Sequence, residues 1–305
     1  MRVIPSRASR LTMMLTVMIG AGCEGGGGWA GTTADSAGVT IVSNPEAGIW
    51  TQPPTVEREV DIGTAEGEAA YQFGQITGID VGTDSSVYVL DQQARTVRIF
   101  DAAGEFVREM GRPGSGPGEL GQTAFNVLLG PGDTVFVADM MQPRVNRYGP
   151  DGQDAGTIPL PVAGSLSVKW AITDDGMLVH QTRAVPDPTQ TEPAASDFLF
   201  VRDRSGALRD TLLALPAGKS VQFAGGGMPR IRLFDSEPIW ALMHDGKVVF
   251  GINTDYSIQL YSSEGQLQRV VRRAFHQRPV TDGDRQAFLE FLEEAWGRAG
   301  VPPQV

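Results

Sequence analysis

The most constraining feature of this 305-residue chain is a pattern that occurs four times in its middle. Each copy has a run of alternating apolar residues, a short loop, a second alternating run and a turn that ends in glycine. The turn glycines are separated by 48, 54 and 59 residues: Gly104, Gly152, Gly206 and Gly265. Such regularity in otherwise variable sequence indicates one structural unit repeated with changes in its loops.

The distance from the end of the first run to the turn glycine supports this interpretation. It is 13 residues in three copies: Asp91 to Gly104, Asp139 to Gly152 and Ile252 to Gly265. In the third copy Thr182 and Gly206 are 24 residues apart, so this copy carries an 11-residue insertion. Further alternating stretches, "ITGIDVG" and "EFVREMG" in the first copy, flank the two runs.

Four antiparallel strands in roughly 45 residues are typical of a β-propeller blade. The sequence therefore predicts an all-β fold, a β-propeller of four-stranded antiparallel blades. A β-sandwich with coincidental periodicity is the alternative, and the constant 13-residue offset favours the propeller.

The stretch "VYVLDQQARTVRIFDAAGEFVREMGRPGSGPGEL" resembles an NHL-type repeat. The second copy, "VFVADMMQPRVNRYGPDG", matches well, whereas the third and fourth have Thr182 and Ile252 in place of the aspartate. The resemblance covers roughly residues 70–275 and extends to uncharacterised six-bladed propeller lipoproteins of bacteria. It implies the fold and a non-catalytic binding scaffold, and it implies no reaction.

The glycine-rich stretch "GRPGSGPGEL", residues 111–120, has two possible roles, a phosphate-binding loop or a link between blades. A phosphate loop of the nucleotide-hydrolase type needs Gly-Lys-Ser/Thr leading into a helix. This stretch has no lysine and stands between two predicted strands. We therefore predict a link whose glycines allow the turns with positive φ that such a crossing needs.

The first 23 residues are predicted to direct export. Three arginines precede a short apolar run, and small residues lead to Cys23, the only cysteine. Residues 1–22 resemble a bacterial lipoprotein signal peptide, Cys23 is the predicted lipid attachment site, and residues 23–38 form a predicted flexible tether. The alternative is an ordinary signal peptide. We expect an extracytoplasmic protein on the outer membrane or cell surface, periplasmic if unlipidated, which contacts membrane only by its anchor.

The charge balance excludes some partners. The chain has 36 acidic and 25 basic residues, a net charge of −11. Removing residues 1–22 takes away three arginines and leaves a net charge of −14. Because nucleic acid repels an acidic surface of this kind, it is not an expected partner.

The remaining boundaries follow from the repeats. Residues 39–278 are the predicted blades, about four and a half of them, since "GVTIVS" and "TVEREVDIG" read as two further strands. Residues 279–305 read as a helix and tail, with Thr281 or Asp282 as cap. Phe288, Leu292, Ala295 and Trp296 fall on one face of that helix. We expect a fragment of a six-bladed ring, or else an open or small ring.

The search for chemistry gives no catalytic residue, metal ligand or cofactor. The Gly-x-Ser-x-Gly and His-Glu-x-x-His motifs are absent, and His180, His244 and His276 lack ligand spacing. Asp91 and Asp139 are expected to accept backbone N–H groups of the following turn, with metal ligation as the alternative. A metal-dependent lactonase or esterase remains the alternative function. Its Asn ligands would have to come from Asn126, Asn146 and Asn253, which do not share one repeat register.

The working surface is predicted from loop length. The loop between the second and third strands of a blade and the link to the next blade share one face, and both are long here. Function concentrates on long loops held by a rigid scaffold. Four arginines would make this face positive: Arg95, Arg112, Arg144 and Arg183. The expected partner is therefore a protein, a peptide or an anionic glycan. The alternative is that each arginine pairs with a neighbouring acid.

Overall fold

The computed structural model describes residues 29–48, 55–139, 142, 144–160, 165–184, 196–216, 221–223, 229–231, 234 and 236–298. The first described elements form a hairpin of β1 (Thr32–Ser36) and β2 (Val39–Asn44). Blade 1 follows with β3 (Ile76–Val81), β4 (Val87–Asp91), β5 (Thr96–Phe100) and β6 (Phe106–Met110). Blade 2 consists of β7 (Ala124–Gly130), β8 (Thr134–Asp139), β9 (Arg144–Tyr148) and β10 (Asp154–Pro159).

The second half of the chain continues the series. Blade 3 consists of β11 (Ser165–Ile172), β12 (Leu178–Ala184), β13 (Ser196–Arg202) and β14 (Leu208–Pro216). A short hairpin, β15 (Val221–Phe223) and β16 (Pro229–Ile231), precedes blade 4. Blade 4 consists of β17 (Pro238–Leu242), β18 (Val248–Ile252), β19 (Ser257–Tyr261) and β20 (Leu267–Arg273), and helix α1 (Asp282–Arg298) follows it. Among the described residues, no helix has the length and apolarity needed to cross a membrane.

Within each blade the strands pair antiparallel in chain order, as the repeats predict. The outer edge of blade 4 has additional strands. There β2 pairs in parallel with β20, and β1 pairs with β2, so this sheet has six strands. The prediction of a flexible tether over residues 23–38 is therefore wrong at Thr32–Ser36, because this part is β1. The rest of the predicted tether up to residue 28, with Cys23 and the signal peptide, lies outside the described residues.

The predicted extra half-blade is also corrected. "GVTIVS" does contain β2, but "TVEREVDIG", residues 55–63, is not a strand. This segment instead lies against blade 1, because a Cβ placed on Gly104 would meet Val60 and Ile62. Further along the segment, Tyr71 and Phe73 lie 5.5 and 6.0 Å, centroid to centroid, from the Phe100 ring. Residues 60–73 thus cover the face of blade 1 that a preceding blade would cover.

Three apolar clusters hold the four blades together, one at each junction. Tyr88, Leu90 and Ile99 of blade 1 pack against Val127 and Val137 of blade 2. Burying a side chain of this size stabilises the fold by about 1.5–3 kcal/mol, so each junction has several such contributions.

The other two junctions between blades are also apolar. Between blades 2 and 3, Phe136 and Ile158 pack against Trp170, and between blades 3 and 4 Leu199 packs against Trp240 and Phe250. The core is therefore a series of interfaces between sheets rather than one central cluster.

The four repeated glycines have one structural role. Each ends the turn between the third and fourth strands of its blade with φ between +75° and +85°. Each N–H donates to the carbonyl three residues earlier, at 2.9–3.0 Å. In blades 2–4 the turn lies against the outer strand of the preceding blade, for example Gly206 against Pro159 and Gly265 against Leu212. Glycine is therefore needed for the positive φ at all four positions, and at Gly206 and Gly265 also for the close approach to the preceding blade.

Candidate functional site

The face that carries the long loops is built around buried aspartates at the ends of second strands. Asp91, at the end of β4, is 1% exposed. Its carboxylate accepts hydrogen bonds from the backbone N–H groups of Gln93 and Ala94 in the following loop, at 3.1 and 3.2 Å. It also accepts from Gly74 and Gln75, which lead into β3, at 2.9 and 3.1 Å. One side chain thus fixes both the loop and the link of blade 1.

The charge of Asp91 is stabilised in spite of its burial. Burial alone would raise the pKa of the Asp91 carboxyl, but the N–H donors and the Arg98 guanidinium 3.6 Å away hold that pKa below its ordinary value. Arg98 in turn donates to the Gln72 carbonyl at 2.6 Å and lies 5.0 Å from the centre of the Phe73 ring. The segment before blade 1 is therefore attached to the blade by polar and apolar contacts together.

Asp139 has the corresponding position in blade 2. It accepts a hydrogen bond from the Thr123 hydroxyl, and the Gln142 N–H donates to it at 3.2 Å. The expectation that Asp91 and Asp139 accept backbone N–H groups is thus confirmed. Among the residues that the structure describes, no group of three or more His, Cys, Asp or Glu side chains is arranged to hold a metal ion.

The glycine-rich stretch at residues 111–120 connects β6 to β7, as expected of a link between blades. It folds back on itself, because Leu120 N–H donates to the Arg112 carbonyl at 2.8 Å and Gly114 N–H donates to the Leu120 carbonyl at 3.1 Å. The Glu119 carboxylate accepts from Gly116 N–H at 2.8 Å. Carbonyl groups of this stretch also accept hydrogen bonds from blade 2, since the Tyr148 hydroxyl donates to the Gly118 carbonyl at 3.1 Å. The link is therefore part of the rigid scaffold.

Two of the four predicted arginines contact this link. Arg112 has a 72% exposed side chain, and its Nε donates to Glu119 at 3.1 Å. Arg144, at the start of β9, donates from Nη2 to the carbonyls of Gly116 and Glu119 at 2.9 and 3.3 Å. Arg144 therefore holds the link against blade 2, whereas most of the Arg112 guanidinium faces solvent.

The third arginine, Arg183, has a structural role in blade 3. Its Nη2 lies 2.9 Å from carboxylate oxygens of both Asp197 and Glu237. Asp197 is fully buried and also accepts from Gln181 at 2.6 Å. Burial would lower the pKa of the Arg183 guanidinium, and the two carboxylates raise it above its ordinary value. This cluster takes the place of the missing aspartate at Thr182, and it ties β12 and β13 to the segment that enters blade 4.

Arg95 differs from the other three. It lies in the β4–β5 loop with φ +58°, the left-handed region that non-glycine residues rarely adopt. Its N–H donates to the Asp91 carbonyl at 2.7 Å. Its half-buried side chain has no hydrogen bond or ion pair with any residue that the structure describes. Pairing with a neighbouring acid therefore describes Arg112 and Arg183, whereas Arg144 donates to backbone carbonyls and Arg95 has no acidic partner among the described residues.

The histidine in blade 3 is a core residue. His180 is 1% exposed, and its Nε2 accepts a hydrogen bond from Arg202 Nε at 2.8 Å. Because Nε2 is the acceptor, Nδ1 carries the proton and donates to the Ser167 hydroxyl at 3.1 Å. Burial, with a smaller contribution from the Arg202 charge, lowers the pKa of the imidazole to about 4. His180, which lacks ligand spacing in the sequence, is thus held by polar contacts within blade 3.

A cavity of about 560 Å³ lies on the axis, on the face opposite the long loops. It is formed where the first strands of all four blades end, and it includes Val81, Leu129, Ile172 and Leu242. Sequence reasoning missed this cavity because the turns around it are short. Their convergence on the axis, rather than their length, creates the concave surface.

The asparagines considered for a metal-dependent hydrolase occupy unrelated positions. Asn126 is in the first strand of blade 2, and Asn146 is fully buried in the third strand of that blade, where it donates to the Glu119 carbonyl at 3.3 Å. Asn253 follows β18 and accepts from Glu237 N–H at 2.9 Å. The three amides therefore do not share one repeat position.

Four-stranded antiparallel sheets packed face to face, with their first strands around an axis, define a β-propeller protein. Residues 66–262 match the DUF5128 family model, described as a 6-bladed beta-propeller. The match covers more than half of the chain, so the chain belongs to this family. The described residues contain four of its blades.

Solved structures that resemble the chain come from several bacteria. A "Putative exported protein" of Bacteroides fragilis is 18% identical, with a TM-score of 0.48, over 85% of this chain and 65% of that one. A DUF4221 member from Bacteroides vulgatus is 12% identical, with a TM-score of 0.44, over 69% and 60%. Virginiamycin B lyase of Staphylococcus aureus is 11% identical, with a TM-score of 0.37, over 63% and 68%.

The chain thus spans less than two thirds of the length of the first two of these proteins. No protein of curated function matches it.

Proposed function

We propose that this protein is a non-catalytic extracytoplasmic scaffold that binds a carboxylate-bearing partner on its long-loop face. The partner is a protein, a peptide or an anionic glycan. The NHL-type repeat that the sequence resembles is consistent with this role.

The observation that carries the proposal is the environment of Arg95. A non-glycine residue with positive φ costs on the order of 1 kcal/mol, and such strain is concentrated at functional positions. The Arg95 guanidinium has no acidic partner among the described residues, whereas the carboxylate of Asp91, at the end of β4, accepts four backbone N–H groups. A strained, half-buried cation on a rigid loop is suited to contact an anion, because its binding needs little rearrangement.

The nearby exposed Arg112 extends the proposed site. Its Nε is held by Glu119, which leaves the planar guanidinium oriented and largely exposed. Guanidinium groups bind carboxylates with two parallel hydrogen bonds. Arg144 and Arg183 support this surface from below through the contacts described above, and they are not assigned to ligand contact.

The test uses two probes, trigalacturonate as a carboxylated glycan and a glutamate-rich peptide, in calorimetric titrations. The double variant Arg95→Asn/Arg112→Ser should weaken binding of at least one probe by about tenfold, the loss expected for a charge-assisted contact. A matched pair on the opposite face, Arg204→Ser/Arg209→Ser, should leave binding unchanged.

The single variant Arg95→Asn separates an effect on binding from an effect on stability. Asn tolerates positive φ better than Arg, so Arg95→Asn alone should unfold at the same temperature as the parent or at a higher one. Loss of binding together with unchanged or raised stability supports a ligand contact. Absence of binding for both probes, or equal losses in the two double variants, would show that the face or the ligand class is wrong.

We also propose that Cys23 carries a lipid that anchors the scaffold to the outer membrane or cell surface. The charged start, the short apolar run and the lone cysteine support this proposal. Cys23→Ser should release the protein into the soluble fraction or leave it unprocessed. Unchanged processing and unchanged membrane fractionation would contradict lipidation.

The alternative function, a metal-dependent hydrolase, predicts that the purified protein contains a bound metal ion, which the scaffold does not require. A stoichiometric amount of Ca²⁺ or Zn²⁺ in elemental analysis would favour the hydrolase over the scaffold.

A further inference from the structure

The first described strand enters the fold at the long-loop face. β2 runs parallel to β20, and Asn44 at the end of β2 pairs with Arg273 at the end of β20. β20 follows the turn at Gly265, on the face opposite the long loops, so it ends at the long-loop face. Because β1 is antiparallel to β2, with Thr32 opposite Ser43, β1 starts at the long-loop face as well.

The residue that leads into β1 is held at the same end of blade 4. Trp29 donates from Nε1 to Asn44 Oδ1 at 2.8 Å. It also lines a depression of about 250 Å³ together with Tyr256 of the β18–β19 loop, which joins the second and third strands of the blade. Cys23 precedes Trp29 by six residues. The predicted lipid attachment site is therefore joined to the long-loop end of blade 4 and not to its opposite end.

The connection between Cys23 and Trp29 has a short reach. A chain spans at most about 3.6 Å per residue, so six residues cover at most about 22 Å. β1 has five residues, and a strand of that length covers about 17 Å between the two ends of the sheet. To bring the opposite face to the lipid, the connection would have to run along β1 almost fully extended. No such extension is needed when the long-loop face is the nearer one.

We propose that the long-loop face is turned toward the membrane that carries the lipid anchor, so that its carboxylate-bearing partner is a molecule held at that membrane. The proposal rests on the proposed lipidation of Cys23, and it gives the location of the partner of the same face. A partner held at the membrane is confined to the space between this face and the bilayer, which raises its effective concentration there.

The orientation is tested by energy transfer from the full lipidated protein to vesicles of phosphatidylethanolamine and phosphatidylglycerol that contain a trace of rhodamine-labelled lipid. Because Cys23 is the only cysteine and its thiol carries the lipid, an introduced cysteine takes the donor dye. Exposed positions at the two ends of blade 4 are Thr254→Cys in the β18–β19 loop and Ser263→Cys in the β19–β20 turn. Gln93→Cys and Ala102→Cys are the matched pair in blade 1.

The long-loop position of each pair should lose more donor fluorescence to the bilayer than the position at the other end of the blade. The two ends differ in height by about 17 Å, the length of a five-residue strand. A larger loss at Ser263→Cys and Ala102→Cys would overturn the proposal. So would equal losses within either pair, which describe a propeller that stands on its edge. Circular dichroism melts establish that each labelled variant is folded.

Failure of the anchor and failure of the orientation give different results. Protein that does not float with the vesicles would contradict lipidation, and the orientation with it. Protein that floats but shows equal losses would contradict the orientation alone. In a control with about 20 Gly and Ser residues inserted between Gly28 and Trp29, the difference within each pair should disappear. A difference that persists would contradict the role assigned to the short connection.

The location of the partner is tested with the glutamate-rich peptide, either free or coupled through a short linker to lipid of the same vesicles. Anchored protein should bind the coupled peptide at a total concentration about tenfold lower than the free peptide, because both are confined to one surface. Binding of the free peptide alone would mean that the face points into solution. Absence of binding by both would contradict the carboxylate-binding function and a membrane-held carboxylate partner, whatever orientation the energy transfer gives.

Discussion

At the scale of single residues, His180 makes the stability of this protein sensitive to acid. Its pKa is about 4 in the folded protein and about 6.5 when exposed. Between those values the unfolded chain binds a proton that the folded protein does not, so stability falls as the pH falls from 6.5 to 4. The shift corresponds to roughly 3 kcal/mol.

The comparison with a non-titrating variant isolates this contribution. His180→Gln retains an acceptor for Arg202 and cannot gain a proton. Denaturant unfolding at pH 7.5 and pH 4 should show a loss about 3 kcal/mol larger for the parent than for the variant. Equal losses in the two proteins would mean that protonation of His180 does not oppose folding.

Asp91 should contribute more to the free energy of unfolding than Asp101, an aspartate that accepts N–H groups in an exposed turn. Asp91→Asn removes a buried charge that accepts four backbone N–H groups and faces Arg98, so we expect a loss of about 3 kcal/mol in the free energy of unfolding. Asp101→Asn, which affects two N–H groups at an exposed turn, should cost under about 1 kcal/mol. Similar losses by chemical denaturation would contradict the role assigned to Asp91.

Single residues were also where sequence reasoning reached its limit. The bonds of Asp91 to the loop N–H groups of Gln93 and Ala94 followed from its position at a strand end, because these donors are nearby in the chain. The bonds from Gly74 and Gln75, 17 and 16 residues earlier, did not follow from the sequence. The partners of Arg183 did not follow from it either, since Asp197 and Glu237 lie 14 and 54 residues away. The replacement of the repeated aspartate by Thr182 was the available signal that blade 3 is stabilised differently.

At the scale of elements, the turn glycines are where one blade meets the next. Gly206→Ala adds the cost of a positive φ to a clash with the Pro159 backbone. Gly246→Ala has a similar φ, +77°, but its Cβ would lie an ordinary 3.4 Å from Ser263 Cβ. We expect about 1 kcal/mol for Gly246→Ala and at least about 2 kcal/mol for Gly206→Ala in thermal or denaturant unfolding.

The two substitutions are matched in chemistry and in backbone conformation, so their difference measures the contact between blades. A loss for Gly246→Ala as large as that for Gly206→Ala would show that φ alone explains these glycines.

The strands of the four blades could be predicted because alternation and glycine turns are local signals. "TVEREVDIG" has the same alternation for a different reason. It places Val60 and Ile62 on blade 1, where a neighbouring blade would otherwise pack, and it pairs with no strand among the described residues. Periodicity reports which side chains face an apolar surface, and it cannot distinguish a strand from an extended cover.

At the scale of the whole molecule, the two faces of the propeller differ in construction. On one, carboxylates and arginines hold long loops and links; on the other, tight turns surround an axial cavity. The long-loop face could be predicted from the sequence, because loop lengths can be counted between the predicted strands. The axial cavity depends on how sheets from distant parts of the chain converge, which no local pattern encodes.

The central claim is that the long-loop face is the working surface, and amide hydrogen exchange with and without trigalacturonate tests it most directly. Peptides covering residues 92–95 and 112–119 should exchange more slowly when the probe is bound, because the ligand contacts Arg95 and Arg112. Peptides from the opposite turns, residues 174–176 and 245–246, should not change. Slower exchange confined to those opposite turns, around the axial cavity, would contradict the account and assign binding to the other face.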